Sequence, residues 1–79
     1  MYQDKLRELL SKHGKLSVDA HGLETESDLY EAGLTSLTTV NLMLAIEDEF
    51  DVEFSDSMLS RKTFQSIGAL CDALEELLD

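Results

Sequence analysis

Ser36-Leu37-Thr38-Thr39-Val40-Asn41-Leu42-Met43-Leu44-Ala45-Ile46-Glu47-Asp48-Glu49-Phe50 is the stretch on which the fold turns. It holds no Gly or Pro, and its apolar residues recur at helical spacing. At about 100° per residue, Leu42, Ile46 and Phe50 point one way, with Met43 close beside them. Leu37, Val40 and Leu44 fall within roughly 60° of one another on nearly the opposite side. One apolar stripe is enough for a surface helix. A second stripe on so short a chain either stays available to a partner or is covered by the chain's own loops. Asn41 and Asp48 border the second stripe on one side and Glu47 on the other, the composition of a docking surface. The competing reading has the long connection before the helix folding back over Leu37, Val40 and Leu44.

Outward from this helix the pattern stays helical. Tyr2 to His13 carries Leu6, Leu9, Leu10 and His13 at helical spacing, and Gly14 follows as a C-terminal stop. From Lys15 to Thr35 the pattern loosens. Leu16, Val18 and Leu23 are isolated apolar pins there, and Ser27-Asp28-Leu29-Tyr30-Glu31 has room for one short helical turn. A connection of about twenty residues without regular structure is uncommon in a compact domain and usually functional. Asp51-Val52-Glu53-Phe54 alternates, but is too short for an isolated strand. Ser55 to Ser60 reads as a short helix, and Thr63 as the N-cap of the last one. Phe64, Ile67, Leu70, Cys71, Leu74, Leu77 and Leu78 then form its stripe. Three long helices and one short one predict an all-α fold, a small four-helix bundle. Its expected core is Leu42, Ile46, Phe50, Ile67, Leu70 and Leu74, with Cys71 as a small core residue.

The 79 residues make one domain, 1–79, with a thin stability margin. One cysteine allows no intrachain bridge, and a lone thiol suits a reducing compartment. No apolar stretch reaches membrane-spanning length, and the start of the chain lacks the basic-then-apolar layout of a secretion signal, so the expectation is a cytoplasmic protein. Seventeen acids against six bases give a net charge of −11. Between Leu16 and Ser60 there are eleven acids and no Lys or Arg. Such a surface repels nucleic acid and attracts proteins with basic patches. The same acidity also serves simple solubility.

Gly33-Leu34-Thr35-Ser36-Leu37 sets two hydroxyl residues where the central helix begins. N-capping explains such residues without further function. The alternative is that Ser36 carries a phosphodiester, because the unpaired N–H groups and dipole of a helix N-terminus favour an attached anion. Asp28-Leu29-Tyr30-Glu31-Ala32-Gly33-Leu34-Thr35-Ser36-Leu37, with Val40, Leu42 and Ile46-Glu47-Asp48-Glu49-Phe50-Asp51-Val52-Glu53 after it, resembles the core of the acyl carrier protein family. The similarity runs from about Leu6 to Leu78 and includes the acidity. It implies that Ser36 receives 4′-phosphopantetheine from coenzyme A through a phosphopantetheinyl transferase and holds an acyl or aminoacyl cargo as a thioester. Where the family commonly has Asp before the serine, this chain has Thr35, and where acids often follow, it has Thr38 and Asn41. Those departures bear on which transferase and partners are accepted.

Asp28 to Leu34 together with Met58-Leu59-Ser60-Arg61-Lys62-Thr63-Phe64 is similar to the bacterial aminoacyl carrier proteins, which are loaded by ligases related to seryl-tRNA synthetases. That similarity makes Arg61 and Lys62 candidate contacts for the ligase. Alternatively, they simply face the C-terminal dipole of a short acidic helix. No catalytic set accompanies Ser36. His13 and His21 have no ligand at metal-binding spacing, and the serine is not in a nucleophile elbow. The expectation is a monomeric, non-enzymatic carrier. It would dock loading ligases or synthases, through their basic surfaces, on Thr35, Leu37, Val40, Asn41 and Leu44, with Glu47 and Asp48 steering the approach. The rival is an unmodified acidic helical adaptor for a basic protein.

Overall fold

The computed structural model describes residues 2–78. Three α-helices span Tyr2–His13 (α1), Ser36–Phe50 (α2) and Ile67–Leu78 (α3), and α1 packs against both others. Their facing stripes meet as the sequence pattern requires. Leu6, Leu10, Leu29, Leu42, Ile46, Ile67, Leu70 and Leu74 are wholly buried, each worth roughly 1.5–3 kcal/mol of burial. Phe50 is only partly buried. It lies at the rim, edge-on to Tyr2 with ring centroids 5.7 Å apart.

The expected fourth helix is a correction. Among the described residues, Ser55 to Ser60 holds only a 3₁₀ turn, Asp56–Met58. Its one apolar residue that packs on the core is Met58, and no side chain caps it. With so little to bury, nothing repays the cost of nucleating a longer helix. The chain then runs through successive i→i+3 turns, with the N–H groups of Thr63, Phe64 and Gln65 donating to the carbonyls of Ser60, Arg61 and Lys62. Thr63 is therefore not the cap of the last helix. That role falls to Ser66, whose Oγ accepts from the Ala69 N–H at 3.0 Å. Phe64 precedes α3 and is buried against Phe54, 5.5 Å between centroids.

The connection from Lys15 to Thr35 is irregular but anchored. The Ser17 N–H and Oγ both donate to the Ala32 carbonyl, at 2.8 and 2.9 Å. Leu29 N–H donates to Gln65 O, Gly68 N–H to Thr25 O, and Arg7 Nε to Leu23 O. These bonds satisfy backbone groups that a loop cannot satisfy by itself. Leu29 is buried inside the turn that Asp28 closes through its side chain. Leu16 and Leu23 pack on the core, whereas Val18 is exposed and pins nothing. Gly33 has φ +120, and a Cβ there would stand 2.9 Å from Ser17 N. Glycine is required at this crossing, which sets the chain's entry into α2.

Candidate functional site

The start of α2 divides its hydroxyl groups by task. Thr35 is the N-cap, and its Oγ1 accepts from the Thr38 N–H at 3.2 Å. In return Thr38 Oγ1 accepts from the Thr35 N–H at 2.8 Å, closing a capping box with threonine where glutamate is usual. Thr39 Oγ1 donates to the Thr35 carbonyl at 2.6 Å. Ser36 takes the first helical position, is exposed, and makes no side-chain hydrogen bond among the described residues. Plain N-capping therefore explains Thr35 but not Ser36. The Thr35-x-x-Thr38 spacing carried this signal in the sequence, where Thr38 was read only as a missing acid.

Beside Ser36 opens a groove of about 390 Å³. One wall is α2, through Ser36, Thr39, Val40 and Met43. The other is the segment after the 3₁₀ turn, through Leu59, Ser60, Arg61 and Phe64, with Tyr30 completing the rim. Tyr30, Met43, Leu59 and Phe64 were not singled out as site residues by sequence reasoning, because only the tertiary fold brings three distant segments together. Among the described residues the groove is lined by no His, Asp or Glu that could serve Ser36 as a general base.

The second stripe of α2 is open to solvent. Leu37 is 73% exposed, Val40 50% and Leu44 54%, so the long connection does not cover them. Asn41 and Asp48 are exposed along its edge. Glu47 differs from the free rim acid expected of it. Its Oε2 accepts from the Phe54 N–H at 2.9 Å and ties down the chain leaving α2, just after Asp51 ends the helix with φ +54. Near Leu44 and Asp48 a second recess of about 500 Å³ is lined from α1 by Lys12 and His13 and from the following loop by Lys15.

Arg61 and Lys62 are neighbours in sequence but line different recesses. The Arg61 guanidinium carbon sits 4.0 Å from the centroid of the Tyr30 ring, on the Ser36 groove. Lys62 lines a different recess, against α3 with Asp72 and Glu76.

Comparison with known proteins adds the following. The family model described as "Phosphopantetheine attachment site" matches residues 4–74. The chain is 47% identical over 74 residues to an aminoacyl carrier protein of Agrobacterium fabrum, covering 94% of this chain and 89% of that one. Its structure is similar, with TM-score 0.93 and 43% identity, to a carrier protein from Agrobacterium tumefaciens in complex with an engineered Bradyrhizobium japonicum glycine:[carrier protein] ligase and ATP, covering 98% of this chain and 100% of that one. A glycylated carrier protein complexed with the Bradyrhizobium japonicum ligase matches with TM-score 0.78 and 28% identity, over 90% of this chain and 95% of that one.

Proposed function

The chain belongs to the phosphopantetheine attachment-site family of carrier proteins, and from that premise we propose that Ser36 is the attachment point and an amino acid the cargo. When bound, 4′-phosphopantetheine supplies a terminal thiol that holds the cargo as a thioester. The observation that carries the assignment is the free, exposed Ser36 hydroxyl at the first position of α2, beside a helix cap that Thr35 and Thr38 complete without it. The residues present fit the group. The hydroxyl is accessible, the helix N-terminus favours the phosphodiester, and among the described residues no carboxylate lines the adjoining groove to repel it.

The rest of the chain recruits enzymes. Leu37, Val40 and Leu44 form the apolar docking strip, with Thr35 and Asn41 beside it. Asp48 and the wider acidic field steer basic surfaces toward Ser36. Glu47 adds charge to that field while its carboxylate holds the backbone. Lys62 offers a cation to an acidic patch on the partner. The partners are a phosphopantetheinyl transferase, which accepts Thr35 before the serine, and an amino acid:carrier protein ligase. Bond-making belongs to those enzymes, and the carrier contributes tethering and raised local concentration. It acts as a cytoplasmic monomer.

Intact mass after incubation with coenzyme A and a broad-specificity transferase tests the attachment. The wild type gains one phosphopantetheine and Ser36→Ala gains none. Modification persisting in Ser36→Ala removes the assignment, and no modification of the wild type leaves an unmodified adaptor. Incubating the modified protein with a glycine:[carrier protein] ligase, ATP and single amino acids then reads the cargo class from the thioester mass.

A further inference from the structure

We propose that Arg61, held over the Tyr30 ring, is an arm-positioning residue whose guanidinium binds the phosphodiester joining the prosthetic group to Ser36. The inference rests on Ser36 as the attachment point and assigns to the same group a second residue, from a segment far along the chain. It gives Arg61 an intramolecular task in place of the ligase contact suggested by its sequence neighbourhood.

Three observations converge on it. First, the chain carries a net charge of −11, yet among the described residues the groove at Ser36 has a single charged lining residue, and that residue is a cation. Second, Arg61, like Lys15 and Lys62 but unlike Lys5, Arg7 and Lys12, has no carboxylate partner among the described residues, and of those three it alone lines the Ser36 groove. Its charge is therefore uncommitted. Third, Arg61 is exposed, yet its guanidinium is placed against a ring. The guanidinium carbon lies 4.0 Å from the Tyr30 ring centroid, and Lys62, the next residue, lines another recess altogether.

Stacking an arginine on a ring uses the face of the guanidinium and leaves its N–H donors free around the edge. Those donors match phosphate oxygens in number and geometry. Held by Tyr30, the side chain has already lost part of the rotamer freedom that binding would otherwise cost it. An anion on Ser36 would then meet the N-terminal end of α2 on one side and Arg61 on the other, within one groove. The arm would leave Ser36 along a set course rather than swing freely from the helix end.

The test compares isotope-labelled apo protein with protein carrying phosphopantetheine, in the absence of any ligase. Intact mass first establishes that the arm is on Ser36. Attachment is expected to shift the Arg61 Nε–Hε resonance and the Tyr30 ring signals, and added salt to reduce those shifts. In modified Arg61→Gln the phosphorus-31 resonance should move away from its wild-type position and its line should narrow as the arm gains motion. Arg61→Lys should restore part of the effect by charge alone. Lys5→Gln, which removes the same charge beside Glu49 at the far end of α2, should leave the phosphorus signal where it is in the wild type. The inference is overturned if the mass shows the arm on Ser36 while Arg61 and Tyr30 signals stay unmoved. An unchanged phosphorus resonance in folded Arg61→Gln overturns it equally. An arm that never attaches would instead defeat the Ser36 assignment itself, and the mass measurement separates that failure from the others.

Discussion

Leu44→Lys and Ile46→Lys place the same side chain two residues apart on α2, and the structure sets very different outcomes for them. Ile46 is wholly buried. Losing such a side chain costs about 2–5 kcal/mol, and burying an unpaired ammonium costs several more. A domain of 79 residues has roughly 4–12 kcal/mol to lose, so Ile46→Lys should leave most of the protein unfolded at room temperature. Leu44 is 54% exposed and lies four residues before the exposed Asp48. Lysine matches leucine in helix propensity, keeps an apolar stem against the surface, and can pair with Asp48. The net change should stay within about 1 kcal/mol, or less than about 8 °C in melting temperature for a domain this small. Function should not be spared. A cation at the centre of a strip that meets a basic enzyme surface should cost about 2 kcal/mol or more of binding, a loss of roughly thirtyfold in kcat/KM for loading. Thermal melts by circular dichroism and loading rates followed by intact mass give both numbers. If Leu44→Lys unfolds alongside Ile46→Lys, the strip is core. If it folds and loads within about twofold of the wild type, the strip docks nothing.

Two further expectations concern the frame around the site. Thr38→Val removes the acceptor for the Thr35 N–H, the shorter of the two capping-box bonds, and should lower stability by about 1 kcal/mol, read as a fall of about 4–8 °C in a thermal melt; an unchanged melt would mean that the box is ornamental. Burial raises the Cys71 thiol above its ordinary pKa, so its thiolate appears only at higher pH and apo protein should alkylate slowly near pH 8 until denaturant is added. The thiol of the arm should then react selectively in modified protein, with a labelling count by mass as the check.

The helical frame was legible because periodicity reports burial directly. Periodicity set Leu42 and Ile46 opposite Leu37 and Leu44 on one helix but left open whether the long connection covers the second pair, and the structure leaves that pair exposed. Tyr2–His13 and Ser36–Phe50 were legible to the residue for the same reason. What failed was local and polar. Ser55 to Ser60 contained helix-forming residues but lacked a face to bury, and propensity alone could not reveal that. Thr63 and Ser66 are equally plausible caps in sequence. The choice between them is made by Phe64, whose burial against Phe54 uses up the chain before α3 can start. Glu47 looked like a free acid because its partner, the Phe54 N–H, lies seven residues on and outside the helix. The groove beside Ser36 was the least accessible feature. Tyr30, Met43 and Arg61 belong to three segments with no common period, and only their tertiary meeting gives Arg61 a direction.

The division of hydroxyl groups at the start of α2 has a consequence for how the protein is used. Thr35 and Thr38 keep the helix closed, and neither is the group to be esterified. Among the described residues the Ser36 side chain has no hydrogen bond to surrender on the proposed esterification. On the proposed attachment at Ser36, installing or removing the arm would break none of the described cap bonds. A transferase would then meet a helix end already closed rather than a segment it must pry open. The carrier could pass from empty to charged and back with its capping box intact, the chemistry confined to a residue outside that box.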